Sequence, residues 1–282
     1  MKRREFLATS VSVGSLGAAL PTLGWAQVVP CPPSTLSVEG GSSSTTSCEQ
    51  TGAADIFTAS YASDRGNWDA EAGLEREGTT MTQNRVAGGG PRGRDAFQIR
   101  QLVNSGGEFY QGHVKTIQSF GNGVSRFYRF RLWHDPASNY RATSGRTINK
   151  LLILGESGSS GSRMILNANG FRDGNFALEI IFDGWDAAPP ETQPLSKGVW
   201  HSVQLEARWG GGAFINVWVD SDTYGSPTLR LAGGSFSVTG TPGYTHFGAY
   251  SNSGLESGGV HTFRHADFRV SSTFDSRWHA SL

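Results

Sequence analysis

Short runs of alternating apolar and polar residues, separated by clusters of Gly, Asn, Asp and Ser, make up the sequence from about residue 54 onward. Alternation with a period of two places successive side chains on opposite faces of a strand, and no stretch keeps the period of an amphipathic helix. The 38 glycines suit the many tight turns that short antiparallel strands need. The pattern predicts an all-β fold, an antiparallel β-sandwich or barrel.

The clearest predicted element is a hairpin. Residues 200–209 and residues 214–220 both alternate, and Gly210, Gly211 and Gly212 lie between them. The run 125–133 alternates as well. The same pattern predicts seven further strands, at Ala96–Leu102, Gly112–Gln118, Lys150–Leu154, Arg163–Asn167, Phe176–Phe182, His246–Ser251 and His261–Val270.

The N-terminus has the pattern of an export signal. Arg3 and Arg4 precede Phe6, Leu7 and a weakly apolar stretch, which is typical of a twin-arginine signal peptide over residues 1–26. A Sec signal with a chance arginine pair is the alternative. We therefore expect a periplasmic or secreted protein, with no segment apolar enough to span a membrane. The 24 basic and 24 acidic side chains balance, which makes nucleic acid a poor partner.

Residues 27–53 are rich in Pro, Ser and Gly and are interpreted as a linker ahead of a single domain over residues 54–282. Cys31 and Cys48 are the only cysteines. Because an exported protein meets an oxidising compartment, we predict that they form a disulfide, with two free thiols as the alternative. We expect the domain to be a monomer.

Two segments resemble a known superfamily. Gly198–Leu205 reads Gly-Val-Trp-His-Ser-Val-Gln-Leu, and Asn216–Asp220 reads Asn-Val-Trp-Val-Asp. They are similar to the concanavalin A-like superfamily, whose members often show a Gly-x-Trp-His entry into one strand and a second strand ending in Val-Asp-Gly. Ser221 stands where the last glycine of that pattern would be. The stretch His261–Val270 resembles the final strand of such domains.

The resemblance implies a jelly roll of two curved, stacked sheets. The superfamily includes laminin G-like domains, legume-type lectins and heparin lyase-like polysaccharide lyases. It therefore implies that a polysaccharide could lie along the concave sheet, with sugar rings on aromatic side chains and hydroxyls on polar neighbours.

One strand face has residue types that suit an acidic sugar. Phe127, Arg129, Arg131 and Trp133 alternate with apolar residues, so they share a face of the strand 125–133. Arginine binds a carboxylate through two hydrogen bonds and an indole stacks on a sugar ring, so these four are the candidate substrate-binding residues. The alternative is a strand face that carries arginines for solubility.

Four residues are candidates for proton transfer in a lyase reaction: His113, Tyr110, His246 and Tyr250. His246 and Tyr250 lie at even spacing, so they could point into one groove. The alternative is that the tyrosines are half-buried packing residues and the histidines lie on the surface.

Other chemistry has less support in the sequence. Glu179 and Asp183 could share a strand face as a hydrolase pair, but the Glu-x-Asp-x-Glu pattern of jelly-roll glucanases is absent. We expect no cofactor, with calcium held by aspartates as the one possibility. The candidate aspartates are Asp183, Asp186, Asp220 and Asp222, for which turn capping is the alternative role.

Three functions therefore remain open: polysaccharide binding on the concave face, β-elimination by a polysaccharide lyase that uses the same groove, and a laminin G-like envelope or adhesion module without sugar chemistry.

Overall fold

The computed structural model describes residues 55–63, 66–68, 70–74, 79–103, 109–117, 122–139, 148–156, 163–170, 175–183, 191–232, 235–236, 243–253 and 259–282. All of them belong to one compact unit, Glu49–Leu282. The predicted export signal, the linker and the Cys31–Cys48 disulfide lie outside the described residues.

The strands in chain order are β1 (Phe57–Thr58), β2 (Ala70–Leu74), β3 (Thr79–Val86), β4 (Ala96–Val103), β5 (Phe109–Ile117), β6 (Ser125–His134), β7 (Ile148–Glu156), β8 (Arg163–Gly170), β9 (Phe176–Asp183), β10 (Glu191–Leu195), β11 (Trp200–Arg208), β12 (Gly210–Gly211), β13 (Phe214–Val219), β14 (Leu229–Ala232), β15 (Ser235–Phe236), β16 (Gly243–Ser253) and β17 (Val260–Ser271). A single 3₁₀ turn lies at Pro91–Gly93.

The strands form two main antiparallel sheets. The eight-stranded sheet has the order β14-β13-β11-β6-β17-β4-β3, and β1 pairs with β17. The seven-stranded sheet has the order β10-β9-β8-β7-β16-β5-β2. Strands β12 and β15 form a separate short pair. The predicted antiparallel β-sandwich is confirmed.

The hydrophobic core lies between the two sheets. Alternate positions of the central strands contribute to it, for example Phe130 of β6 and Leu205 of β11 from one sheet, and Leu166 of β8 and Leu178 of β9 from the other. Burying both inner faces in this way is the main stabilising contribution in a sandwich. The positions between these residues face away from the core, and they form the outer face of each sheet.

The predicted hairpin is confirmed as β11 and β13, paired from Val203 with Val219 to Arg208 with Phe214. Gly210 and Gly212 have φ values of 100° and 70°, a region that favours glycine over other residues. The structure also contains strands that the pattern does not predict, among them β3 and β10. Both lie at the edge of a sheet, where side chains are less buried and the apolar alternation is weak.

Candidate functional site

The outer face of the eight-stranded sheet is covered at β6 by residues 272–282, which we call the C-terminal segment. Arg131 is completely buried beneath it. Its Nη2 donates to the carbonyl oxygen of Trp278 at 2.5 Å and to Ser281 Oγ at 2.6 Å. Its guanidinium carbon lies 3.9 Å from the Trp278 ring centroid, a cation–π contact. Burial lowers the pKa of Arg131 to about 10.

Arg129 has a similar structural role. Its Nη2 is 2.6 Å from Asp55 Oδ1 and its Nη1 is 3.0 Å from Asp275 Oδ2. Phe127 is also buried, with its ring 6.2 Å from that of Phe274. Both arginines are thus bound by groups of the protein itself. Arg129 pairs with two carboxylates, and Arg131 donates to a carbonyl and a hydroxyl oxygen.

The expectation that this face of β6 lines an open groove therefore needs correction. Phe127, Arg129 and Arg131 project from one face, as predicted, but the C-terminal segment covers that face. Trp133 is half-exposed, and the guanidinium carbon of Arg264 lies 4.7 Å from its ring centroid. The pattern within β6 could not reveal a cover formed by residues about 146 positions away.

A row of polar residues crosses the outer face of the seven-stranded sheet, and we call it the transverse polar row. The strand register pairs Tyr110 of β5 with Tyr250 of β16, Tyr250 with Lys150 of β7, Lys150 with Asn167 of β8, and Asn167 with Glu179 of β9. Directly paired positions on antiparallel strands have Cβ atoms about 5 Å apart. The five residues therefore form a continuous line across five strands.

The best-described part of this row is a buried carboxylate held by two amides. Glu179 Oε2 accepts hydrogen bonds from Asn167 Nδ2 at 2.9 Å and from Asn169 Nδ2 at 2.6 Å. All three side chains are buried, and Lys150 is 8% exposed. The Asn167 Oδ1 atom has no hydrogen-bond partner among the described residues. A buried polar atom without a partner calls for an explanation, of which a functional role is one.

The backbone separates the four candidate proton-transfer residues into two groups, while their side chains lie outside the described residues. Phe247 is buried in the core, and His113 is paired with it, which places position 113 in the core-facing series of β5. Tyr110, Tyr250 and His246 occupy the alternate series, with His246 paired to Ile153. Three of the four candidates therefore share the outer face.

Irregular pairing accompanies the row. The register between β16 and β7 shifts between Phe247 and Tyr250, and that between β7 and β8 shifts between Lys150 and Leu152. Bulges of this kind re-aim side chains and are common beside active sites.

Sequence reasoning did not identify Lys150, Asn167 or Asn169 as site residues, and it considered Glu179 only as a weak hydrolase candidate. A signal was present, because each is a polar residue within a run that is otherwise apolar on both faces. Such a residue on a buried strand indicates either a hydrogen-bonded network or a site. Only the register across β7, β8 and β9 shows that Lys150, Asn167 and Glu179 lie in a single row, with Asn169 beside it.

The aspartates considered for calcium have other partners where the structure describes them. Asp220 accepts hydrogen bonds from His201 Nδ1 at 2.6 Å and from the Ser202 backbone at 2.8 Å. Asp222 accepts from the backbone N–H groups of His279 and Ala280 at 2.6 and 2.9 Å. Asp186 and the side chain of Asp183 lie outside the described residues. Within the described part of the chain, no group of three or more His, Cys, Asp or Glu side chains could hold a metal ion.

Comparison with a solved structure supports the predicted antiparallel β-sandwich of jelly-roll type. An endo-β-1,4-glucuronan lyase from the fungus Trichoderma reesei superposes with a TM-score of 0.57 at 15% identity, over 78% of this chain and 96% of that chain. The cellulose-induced protein Cip1 gives 0.48 at 15% identity, over 73% and 91% of the two chains. The alginate lyase vAL-1 from Chlorella virus gives 0.46 at 11% identity, over 78% and 100%.

No family model and no curated protein sequence matches the chain. Among the described residues, no helix has the length and apolar character that a membrane span requires.

Proposed function

We propose that the protein is an exported polysaccharide lyase that cleaves a uronic-acid polymer by β-elimination at the outer face of the seven-stranded sheet. The transverse polar row carries this proposal. It aligns two tyrosines, a lysine, an amide and a carboxylate on adjacent strands. These are groups that can bind an acidic sugar and transfer protons.

The reaction makes defined demands on the site. A base removes the proton from the carbon beside the uronate carboxylate, and the C–H electron pair forms a C=C bond. The bond to the glycosidic oxygen then breaks, and an acid protonates the departing oxygen. The site must also stabilise the negative charge that builds up on the carboxylate in the transition state.

The row supplies a residue for each demand. The Lys150 ammonium is assigned to the substrate carboxylate, because it is the cation of the row. Tyr250 is paired with Lys150, and a neighbouring ammonium stabilises a phenolate, so Tyr250 is assigned as the base. Tyr110, on the far side of Tyr250, is assigned as the acid.

Glu179, Asn167 and Asn169 are positioning residues in this proposal. Their side chains are more deeply buried than that of Lys150, and the two amides bind the Glu179 carboxylate. The fixed carboxylate places a negative charge two strands away from Lys150. The network therefore holds the charge distribution of the row without contacting substrate.

The fold comparison supports the substrate class by analogy. The Trichoderma protein with the same fold is named for cleavage of glucuronan, a uronic-acid polymer. Fold analogy alone does not establish function, so the assignment depends on the row. The twin-arginine pattern at Arg3 and Arg4 supports export to the periplasm or beyond, where such polymers occur.

The test is incubation of the purified protein with glucuronan, alginate and polygalacturonate, followed by the ultraviolet absorbance of the unsaturated product. We expect a rise with at least one polymer. Lys150→Ala and Tyr250→Phe should each lower the rate by about 10²-fold or more. The matched controls Lys197→Ala and Tyr224→Phe, which alter the same residue types outside the row, should keep nearly full activity.

Two outcomes would contradict the proposal. If no polymer gives unsaturated product while the protein still binds one of them, the chain is a carbohydrate-binding module. If product forms but Lys150→Ala and Tyr250→Phe match their controls, the lyase site lies elsewhere. Circular dichroism of each variant shows that a loss of activity is not a loss of fold.

A further inference from the structure

A cavity of about 780 Å³ lies on the outer side of the eight-stranded sheet, where the C-terminal segment meets the turn at residues 91–94. Both sheets and the core between them separate it from the transverse polar row. Its walls include Arg92, Arg94, Arg269, Arg277, Asp275 and Trp278.

Positive charge exceeds negative charge around this cavity. Arg94 Nη1 is 2.9 Å from Asp267 Oδ2, and Arg269 Nη1 is 3.4 Å from Asp55 Oδ2. The wall carboxylate, Asp275, is already paired with the buried Arg129.

Two of the wall arginines carry a positive charge that no carboxylate of the described residues neutralises. Arg92 and Arg277 are exposed and form no ion pair within the described part of the chain. Four guanidinium groups around one cavity repel each other unless an anion lies among them.

The turn holds Arg92 in an unfavourable conformation. Its φ is 54° and its ψ is 30°, the left-handed region that residues with a side chain avoid. It lies between Pro91, which is buried, and Gly93, which has a φ of 73°. Strain of this kind persists where the surrounding structure enforces it, often at a ligand site.

The wall formed by the C-terminal segment is rigid. Trp278 is 4% exposed, its Nε1 donates to the Val203 carbonyl oxygen at 3.1 Å, and its ring rests on the Arg131 guanidinium. The neighbouring Asp275 exchanges hydrogen bonds with the Gln204 side chain at 2.9 and 3.2 Å. This wall of the cavity is therefore preorganised, which lowers the entropic cost of binding.

We propose that this cavity binds the anionic groups of an acidic polysaccharide, as a second contact site on the opposite face of the sandwich from the transverse polar row. Guanidinium groups bind carboxylate and sulfate through paired hydrogen bonds, and two of the four have no carboxylate partner to displace. The choice of a uronic-acid polymer as ligand rests on the proposed function, whereas the anion site itself rests on the cavity.

The experiment measures binding to glucuronan by affinity electrophoresis, with all proteins carrying Lys150→Ala to suppress cleavage. The test variant is Arg92→Ala/Arg277→Ala. The control is Arg208→Ala/Arg230→Ala, which removes the same charge from exposed arginines that do not line the cavity. We expect the test variant to bind about tenfold more weakly and the control within about twofold of the parent, with a difference that shrinks as salt rises.

Further arms identify the ligand and keep the two proposals apart. Sodium sulfate should compete only weakly with glucuronan, compared with sodium chloride at equal ionic strength. Complete displacement of glucuronan by low millimolar sulfate would assign the cavity to a free inorganic anion and overturn the proposal. Equal glucuronan binding by test and control variants would also overturn it. Cleavage of short uronate oligomers, measured with Arg92→Ala/Arg277→Ala in the otherwise unaltered chain, should be unchanged, so a missing lyase activity refutes the proposed function and not the cavity.

Discussion

The Arg131 guanidinium carbon lies 3.9 Å from the Trp278 ring centroid, and both side chains are buried on the outer face of the eight-stranded sheet. The indole covers the guanidinium, and the carbonyl oxygen of the same tryptophan accepts its hydrogen bond. This contact attaches the C-terminal segment to β6.

Trp278→Ala should lower the free energy of unfolding by about 3 kcal/mol, because it removes a buried indole and leaves a buried cation without its aromatic neighbour. Urea unfolding followed by circular dichroism measures the change. The control Trp133→Ala removes a half-exposed indole and should cost about 1 kcal/mol. Equal costs for the two variants would show that the C-terminal segment contributes little to stability.

His201 should make stability depend on pH above neutrality. Its Nδ1 and Nε2 both face acceptors, the Asp220 carboxylate at 2.6 Å and the Ser196 carbonyl oxygen at 2.9 Å. Burial lowers the pKa of His201, but these hydrogen bonds and the Asp220 charge outweigh burial and raise it above its ordinary value. The charged form is thus favoured by folding. Its contribution is complete below the unfolded-state pKa of about 6.5 and is lost as pH rises through the raised folded-state pKa.

The measurement is the free energy of unfolding at a series of pH values from about 6 to 9. Asp220→Asn should reduce the decline of the free energy of unfolding with rising pH, because it removes the charge that raises the pKa of His201. Asp222→Asn, which weakens two backbone hydrogen bonds to the C-terminal segment, should lower stability at every pH without changing the slope. A wild-type profile with no decline in this range would contradict the assignment.

His261 should have the opposite effect on the acid side. It is buried, with its ring centroid 5.0 Å from that of His134, and burial lowers its pKa to about 3. The unfolded chain therefore takes up this proton first, so the stabilising contribution is complete above about pH 6.5 and is lost as pH falls toward the folded-state value. We expect His261→Gln to show a shallower loss of stability between about pH 6 and 4. The control is His279→Gln, which alters a half-exposed histidine. In this variant the loss of stability between about pH 6 and 4 should be as steep as in the wild type.

Glu179→Gln tests the positioning role of the buried carboxylate. The substitution keeps an oxygen for the Asn167 and Asn169 amides but removes the charge. We expect kcat for the proposed lyase reaction to fall about tenfold or more, with a smaller change in KM and a stability cost of about 1–2 kcal/mol. Glu191→Gln, on the exposed edge strand β10, is the control. It should leave kcat, KM and the free energy of unfolding nearly unchanged. A rise in KM with an unchanged kcat would instead indicate that Glu179 contacts the substrate.

Local alternation was sufficient to predict much of the sandwich. The hairpin of β11 and β13 was predicted because both strands alternate and glycines supply the turn between them. The edge strands β3 and β10 were missed because an edge strand is less buried and need not be apolar.

The candidate site could be predicted only in part, because it depends on contacts far apart in the sequence. The alternation of β6 predicted that Arg129 and Arg131 share a face, but not that distant residues would cover them. Tyr110, Tyr250 and His246 were selected by chemistry, and strand register places them on one face. Lys150 is a polar residue in an otherwise apolar run, which indicates a network or a site, but only the strand register sets it beside Tyr250.

The cover over β6 also has a kinetic consequence. Contacts between the C-terminal segment and β6 join residues 146 and 150 positions apart, and closing such long loops is slow compared with hairpin formation. Until the segment docks, the guanidinium groups of Arg129 and Arg131 remain hydrated. Docking must then remove that water from both cations, so we expect it to appear as a distinct late phase of tryptophan fluorescence during refolding, and this phase should be absent in Trp278→Phe.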